Sequence, residues 1–259
     1  MHKIEDLTKK GKLYLLTIGI DNDKATYKIS EDLLVEFNLY KNKEFDENSY
    51  KKLILAINKD AYYQKVLHYA LFKPRTKKEI ITYLKKFNIE DFDYYLNKLT
   101  NLRLLDDSVY VENYVSEAIN FKHFGPLKIK EDLFSKGINS KLQDQFLSSY
   151  EAIQIQDNLD YWFDKKIKSL KNNPYQKNLK SLTVFLINKG FSYEDVSNYL
   201  KQNRQEVIDK SDESKAIIKD IEHLKAKFQK KEYNQSLQQF LITKLLAKGY
   251  QYSTIKKYL

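Results

Sequence analysis

The chain has 259 residues, 42% of them hydrophobic, which excludes global disorder. Only six glycines and three prolines punctuate it, so long helices are expected rather than a turn-rich β fold. Cysteine is absent, which rules out disulfides and thiolate metal sites, and the formal net charge of +10 points to an anionic partner.

The opening Met1-His2-Lys3-Ile4-Glu5-Asp6 is charged, and no run approaches the ~20 apolar residues of a bilayer span. A cytoplasmic protein with no membrane role is therefore expected. The first elements read as β. From Lys12 to Ile20 the chain alternates, with Tyr14, Leu16, Ile18 and Ile20 on one face. Asp21-Asn22-Asp23-Lys24 supplies turn chemistry, and Ala25–Ile29 returns as a second strand. Ser30 then suits an N-cap, followed by a short helix with Leu33, Leu34 and Phe37 on one side. Asp46 suits the cap of a further helix bearing Leu53, Ile54 and Ile57. Residues 1–58 thus form a small mixed unit containing a β-hairpin.

Beyond it the sequence is helical and repetitive. Four segments share one pattern, a helix ending at Leu, a helix-stopping residue four positions on, then an apolar residue. They are Leu84–Ile89, Leu133–Ile138, Leu186–Phe191 and Leu245–Tyr250. The stopping residue is Asn88, Gly137, Gly190 or Gly249, at spacings of 49, 53 and 59 residues. Glycine, and next asparagine, tolerates the left-handed conformation that closes a helix, and the following apolar residue packs back on the last turn. An amphipathic stretch precedes each segment, as in Tyr62–Leu71 and Val111–Phe121. The expected architecture is mainly α: tandem three-helix repeats in an elongated, solenoid-like array, at 59–107, 108–152, 153–207 and 208–259.

Catalytic constellations are missing. His2, His68, His123 and His223 have no metal-ligand spacing, and no phosphate-binding loop or nucleophile elbow occurs. Asp106-Asp107 and Glu131-Asp132 read as helix caps. Neither an enzyme nor a cofactor is expected. The basic residues, by contrast, are grouped. Lys73, Arg75, Lys77, Lys78, Lys85 and Lys86 face only Glu79 between Phe72 and Asn88, and Lys165–Lys180 holds six lysines, including Lys168 and Lys171, with no acid. Lys122, His123, Lys128 and Lys130 hold the equivalent place in the second repeat, and Lys225, Lys227, Lys230 and Lys231 in the fourth. Each group falls at the junction between the first and second helices. In a tandem array such corners would line one edge as a basic stripe, suited to a long anionic ligand. Phe72, Phe124 and Tyr83 lie beside these lysines; stacking on bases is the alternative for them, and core packing is expected. Arginine occurs only at 75, 103 and 204, so phosphate or acidic-surface attraction is expected rather than base reading.

Several stretches resemble the RecX family. Lys73-Pro74-Arg75-Thr76-Lys77-Lys78-Glu79-Ile80 with Leu84 is similar to that family's first module. Leu105-Asp106-Asp107, Tyr110, Phe124-Gly125-Pro126-Leu127-Lys128-Ile129-Lys130-Glu131-Asp132-Leu133 and Lys136-Gly137-Ile138 are similar to its second. Phe185-Leu186 and Lys189-Gly190-Phe191-Ser192-Tyr193-Glu194-Asp195-Val196 are similar to its third. Phe87-Asn88 departs from the usual Lys-Gly. The resemblance spans roughly residues 10–259, and the β-containing start and fourth repeat fit the longer form of the family. It implies a monomeric modulator that binds RecA–DNA filaments along their groove and limits filament growth, ATP hydrolysis and strand exchange. Lys73, Arg75, Lys77, Lys78, Lys85, Lys122, His123, Lys128, Lys130, Lys165 and Lys168 are the expected contacts. Pro74 and Pro126 are expected to start helices, with Gly125, Gly137, Gly190 and Gly249 in structural roles. The alternative is a protein that binds single- or double-stranded DNA directly through the same lysines.

Overall fold

The computed structural model describes residues 2–20, 23–148, 150–170, 173–211, 213–230 and 233–259. The chain divides after Tyr110 into two compact units. It is mainly helical with a small β-containing start, as the sequence implies.

The first unit opens with an antiparallel sheet in the order β3-β2-β1-β4. The strands are β1 (His2–Lys10), β2 (Leu13–Ile20), β3 (Asp23–Ile29) and β4 (Glu44–Phe45). The alternating sequence foretells β2 and β3, which pair with Leu16 opposite Tyr27 and Ile18 opposite Ala25. The Asp21-Asn22 turn and the Ile20 side chain lie outside the described residues. Strand β1 was not foreseen because it is rich in charge, and of its residues only Ile4 is fully buried. It pairs with β4 only at His2 and Lys3, so most of its outer edge is open, and charged side chains guard such an edge against stray pairing.

Helix α1 (Glu31–Glu36) is capped by Ser30, whose side chain accepts from the Leu33 N–H. Helix α2 (Glu47–Phe72) is capped by Asp46 and runs 26 residues without a break. It passes through residue 58, where the sequence implies a change of unit. Its first half gives Leu53 and Ile57 to the sheet core with Ile4, Leu16, Ile18 and Ile29. Its second half gives Tyr63, Val66 and Ala70 to a core shared with α3 (Lys77–Lys85) and α4 (Phe92–Asn101). Between the two stands Asp60, buried, with its carboxylate accepting from the Ser30 N–H and Ser30 hydroxyl, each at 2.8 Å, and from Gln64 at 3.3 Å.

Three further helical groups follow, in the second unit but for the first turn of α5. These are α5–α7 (Asp107–Asn120, Pro126–Ser135, Ser140–Leu147), α8–α11 (Ala152–Ile167, Tyr175–Asn188, Tyr193–Gln202, Arg204–Asp209) and α12–α14 (Glu213–Gln229, Leu237–Ala247, Tyr252–Tyr258). Each second helix ends in a Schellman motif. The N–H groups of Ile138, Phe191 and Tyr250 donate to the carbonyls of Leu133, Leu186 and Leu245, and those of Gly137, Gly190 and Gly249 to Phe134, Ile187 and Leu246. The glycines have φ of +82°, +96° and +94°, and Asn88 has +56°. The apolar residue after each glycine is buried, so the motif both stops the helix and fills the core.

Asp60→Ala removes the acceptor for two buried donors of Ser30. A loss of about 2–3 kcal/mol is expected in urea unfolding, whereas Leu55→Ala, at a side chain 70% exposed, is expected to stay within ~0.5 kcal/mol.

Candidate functional site

At the starts of α3, α6 and α9, N–H groups of the first turn are met by acceptors from outside the helix. At α3 the cap is local, with Thr76 and Glu79 exchanging hydrogen bonds at 3.3 and 3.1 Å. The first helical N–H, that of Lys77, donates instead to Asp107, the first residue of α5, at 2.9 Å. Helix α9 repeats the device, since the Tyr175 N–H donates to Glu213, the first residue of α12, at 3.0 Å. At α6 backbone replaces the acid. The Gly125 N–H donates to the Lys189 carbonyl at 2.8 Å and the Leu127 N–H to the Gly190 carbonyl at 2.9 Å. Between them Pro126 stands at the first helical position and has no N–H to leave unpaired. Pro74, expected to start a helix, lies two residues ahead of the Thr76 cap instead. These helix starts are consumed internally, so anion binding at the corners falls to the lysine side chains.

The expected contacts separate into three kinds. Some are exposed and, among the described residues, have no acidic partner: Lys73, Lys77, Lys85, Lys165 and Lys168. Lys78 is also exposed, and Phe72 beside it is 78% exposed rather than in the core. Others are held by acids. Lys122 meets Glu117 at 3.0 Å, Lys130 meets Asp144 at 2.7 Å, and Lys128 meets Glu131 and Asp132 at 2.8 and 3.1 Å. Hydrogen bonds to Glu131 and Asp132 raise the Lys128 amine above its ordinary range. The rest are built into the fold. The Arg75 side chain is only 11% exposed, pairs with Glu79 at 3.6 Å and lies 3.9 Å above the Tyr69 ring, which stacks on Tyr83. His123 has φ +54°, lies 2.6 Å from the Asn158 carbonyl oxygen through Nδ1, and stacks on Tyr161. Phe124 is half-buried, and its carbonyl accepts from the Tyr150 hydroxyl at 2.8 Å.

The joint around His123 rests on residues that periodicity does not flag. Asn158 is buried, and its amide donates to the Ile119 carbonyl at 3.1 Å and the Tyr150 oxygen at 2.8 Å. The Trp162 indole donates to the His123 carbonyl at 2.7 Å. A signal was nonetheless present. The three prolines, at 74, 126 and 174, all fall at first-to-second-helix junctions, the last as the N-cap of α9.

Beside this joint lies a concentration of positive charge on aromatic rings. Lys189 sits 3.6 Å from the Trp162 ring and 5.4 Å from Phe185, Lys166 is 5.3 Å from Phe185, and Lys165 is 4.1 Å from Tyr161. Partial burial, and then the charge of Lys165, hold the Lys189 amine below its ordinary range. Among the described residues no carboxylate pairs with these lysines. Lys171 and Lys231 lie outside the described residues, while Lys225, Lys227 and Lys230 are exposed. No group of three or more His, Asp or Glu side chains among the described residues could hold a metal ion, and no helix is long and apolar enough to cross a membrane.

The chain is similar to known proteins. A family model described as the second three-helix domain of RecX matches residues 106–147, which correspond to α5–α7. A regulatory protein RecX of Streptococcus agalactiae is 34% identical over 261 residues, 98% of this chain and 97% of its own. The chain belongs to the RecX family. Another RecX, from Enterococcus faecalis, is 29% identical over 96% of this chain and 93% of its own. A crystal structure of a regulatory protein RecX superposes with a TM-score of 0.63 at 26% identity, covering 78% of this chain and all of that one. The RecX likeness therefore includes the sheet-bearing start and the last helical group as well as the central modules.

Asn158→Ala would take the side-chain partner from the Ile119 carbonyl and the His123 ring, and one of the two hydrogen bonds from the Tyr150 hydroxyl. A loss of about 2–4 kcal/mol is expected in urea unfolding, with a change in Trp162 emission in the folded state.

Proposed function

We propose that the chain binds filaments of a RecA-type recombinase on DNA and limits their growth, ATP hydrolysis and strand exchange, so tempering recombination and the SOS response. The observation that carries this reading is kinship with proteins named regulatory protein RecX over nearly the full length of both chains. Charge supports it. The exposed lysines without acidic partners suit a nucleoprotein polymer, whose surface presents phosphates and carboxylates over a long distance. The protein acts as a cytoplasmic monomer and needs no cofactor.

The lysines are not equivalent in this role. An ammonium already paired with carboxylates gains less from a new anion than one without a partner, even though exposed pairs are individually weak. Lys165 and Lys168 are therefore assigned a larger share of partner attraction than Lys128 and Lys130.

The test is the DNA-stimulated ATPase of the recombinase titrated with the full chain. Inhibition well below one chain per recombinase is expected. Lys165→Ala with Lys168→Ala should raise the half-inhibiting concentration ~10-fold, and Lys128→Ala with Lys130→Ala less than about threefold. An ATPase untouched at saturation contradicts the proposal. Tight binding to naked DNA with a steep salt dependence, in that event, identifies the chain as a direct DNA-binding protein.

A further inference from the structure

A cavity of about 400 Å³ opens between α9 and α10, and none of the lysines over Trp162 and Phe185 lines it. Its size falls in the range of small-ligand sites. Helical spacing builds it. Tyr193, Ser197 and Lys201 stand four residues apart on one side of α10, Tyr175 and Thr183 stand on the facing side of α9, and Arg204 opens α11 at the rim.

The chemistry of the lining is specific. It contains two tyrosines, two cations and two small hydroxyl side chains, and no acid. Lys201 and Arg204 are exposed and form no ion pair among the described residues. The Arg204 guanidinium lies 5.8 Å from the Tyr175 ring centroid. Tyr193, which lines the cavity, is 71% exposed and makes no ring contact among the described residues. The Ser197 hydroxyl has no hydrogen-bond partner among the described residues, and the Thr183 hydroxyl donates to the Leu179 carbonyl at 2.9 Å while its lone pairs remain able to accept.

We propose that this cavity is a nucleotide site, taking a nucleobase against the tyrosine rings and its phosphate at Lys201 and Arg204. Stacking on an aromatic ring tolerates any base because every base has a π face, and guanidinium matches phosphate in a bidentate manner. Ser197 and Thr183 are placed to meet the polar edge of the base or the sugar. An acidic peptide would use the two cations but would leave the tyrosines without a planar partner, so the nucleotide fits more of the lining. The shared chemistry is one base with its phosphate, supplied either as a free nucleotide or as a unit of a single strand. This site stands apart from the filament proposal, because its test contains no recombinase.

The experiment uses the full chain and two probes followed by fluorescence anisotropy, an N-methylanthraniloyl derivative of AMP and a fluorescein-labelled ten-nucleotide oligothymidylate. Saturable binding of at least one is expected. Tyr193→Ala and Arg204→Ala should each weaken it ~10-fold, and Tyr193→Phe should retain it. Binding of the AMP derivative identifies the source as a free nucleotide, and binding of the oligonucleotide alone identifies it as a strand. Both substitutions lie at exposed positions, so unchanged Trp162 emission and melting temperature show that the fold is intact. The proposal is overturned if neither probe binds, if both alanine variants bind within twofold of the parent, or if polyglutamate displaces the probe as well as the unlabelled nucleotide does.

Discussion

Helical modules can be strung together only if each offers its neighbour a surface of fixed shape, and here the tightest such surface is backbone against backbone. A Cβ placed on Gly125 would lie 2.3 Å from the Gly190 carbonyl carbon, and one on Gly190 would lie 2.3 Å from the Lys128 Cβ. No side chain larger than hydrogen fits on either side. The contact also joins the carbonyl-rich C-terminal end of α9 to the N–H-rich start of α6, so opposite ends of two helix dipoles meet where each lacks internal partners. Gly190 thus does two things with one residue, closing α9 at φ +96° and letting the neighbouring helix approach.

The last joint is looser. A Cβ on Gly249 would meet the Gln176 Cβ at 3.5 Å, an ordinary contact, and the start of α9 is closed there by the Glu213 carboxylate rather than by backbone. Asp107 serves α3 in the same way. The chain therefore uses two chemistries at equivalent places, and both spend the positive end of a helix on an acceptor outside it. That leaves lysine ammonium groups as the free positive charge at these corners. Among the expected contacts, the acid-free lysines lie around α3 and α8, while those on α6 are held by Glu131, Asp132 and Asp144.

Much of this was legible in the sequence, and the failures have physical causes. The helix stops at residues 88, 137, 190 and 249 were readable because a left-handed residue after a helix restricts the choice of side chain. Strands β2 and β3 were readable from alternation, whereas β1 was not, since it is rich in charge and buries only Ile4 fully, too little to make a pattern. Unbroken α2 was hidden because its two halves face different cores, so no single apolar stripe runs its length. At the candidate surface, composition located the lysine groups but could not tell which ammonium has a carboxylate within reach. Arg75 and His123 look like surface cations in the sequence, yet their partners Tyr69 and Asn158 come from elsewhere in the fold.

The backbone joint can be isolated by comparing two substitutions that share one conformational cost. Gly190→Ala and Gly249→Ala both place an L side chain at φ near +95°, with values of +96° and +94°, but only the first forces a Cβ into a neighbouring module. Urea unfolding followed by Trp162, whose indole is bonded across that joint to His123, reads the difference. The predicted result is that Gly190→Ala costs about 2 kcal/mol more than Gly249→Ala, with altered Trp162 emission before unfolding begins. Equal losses for the two variants, with native Trp162 emission in both, would contradict the view that glycine backbone contact sets how these modules join.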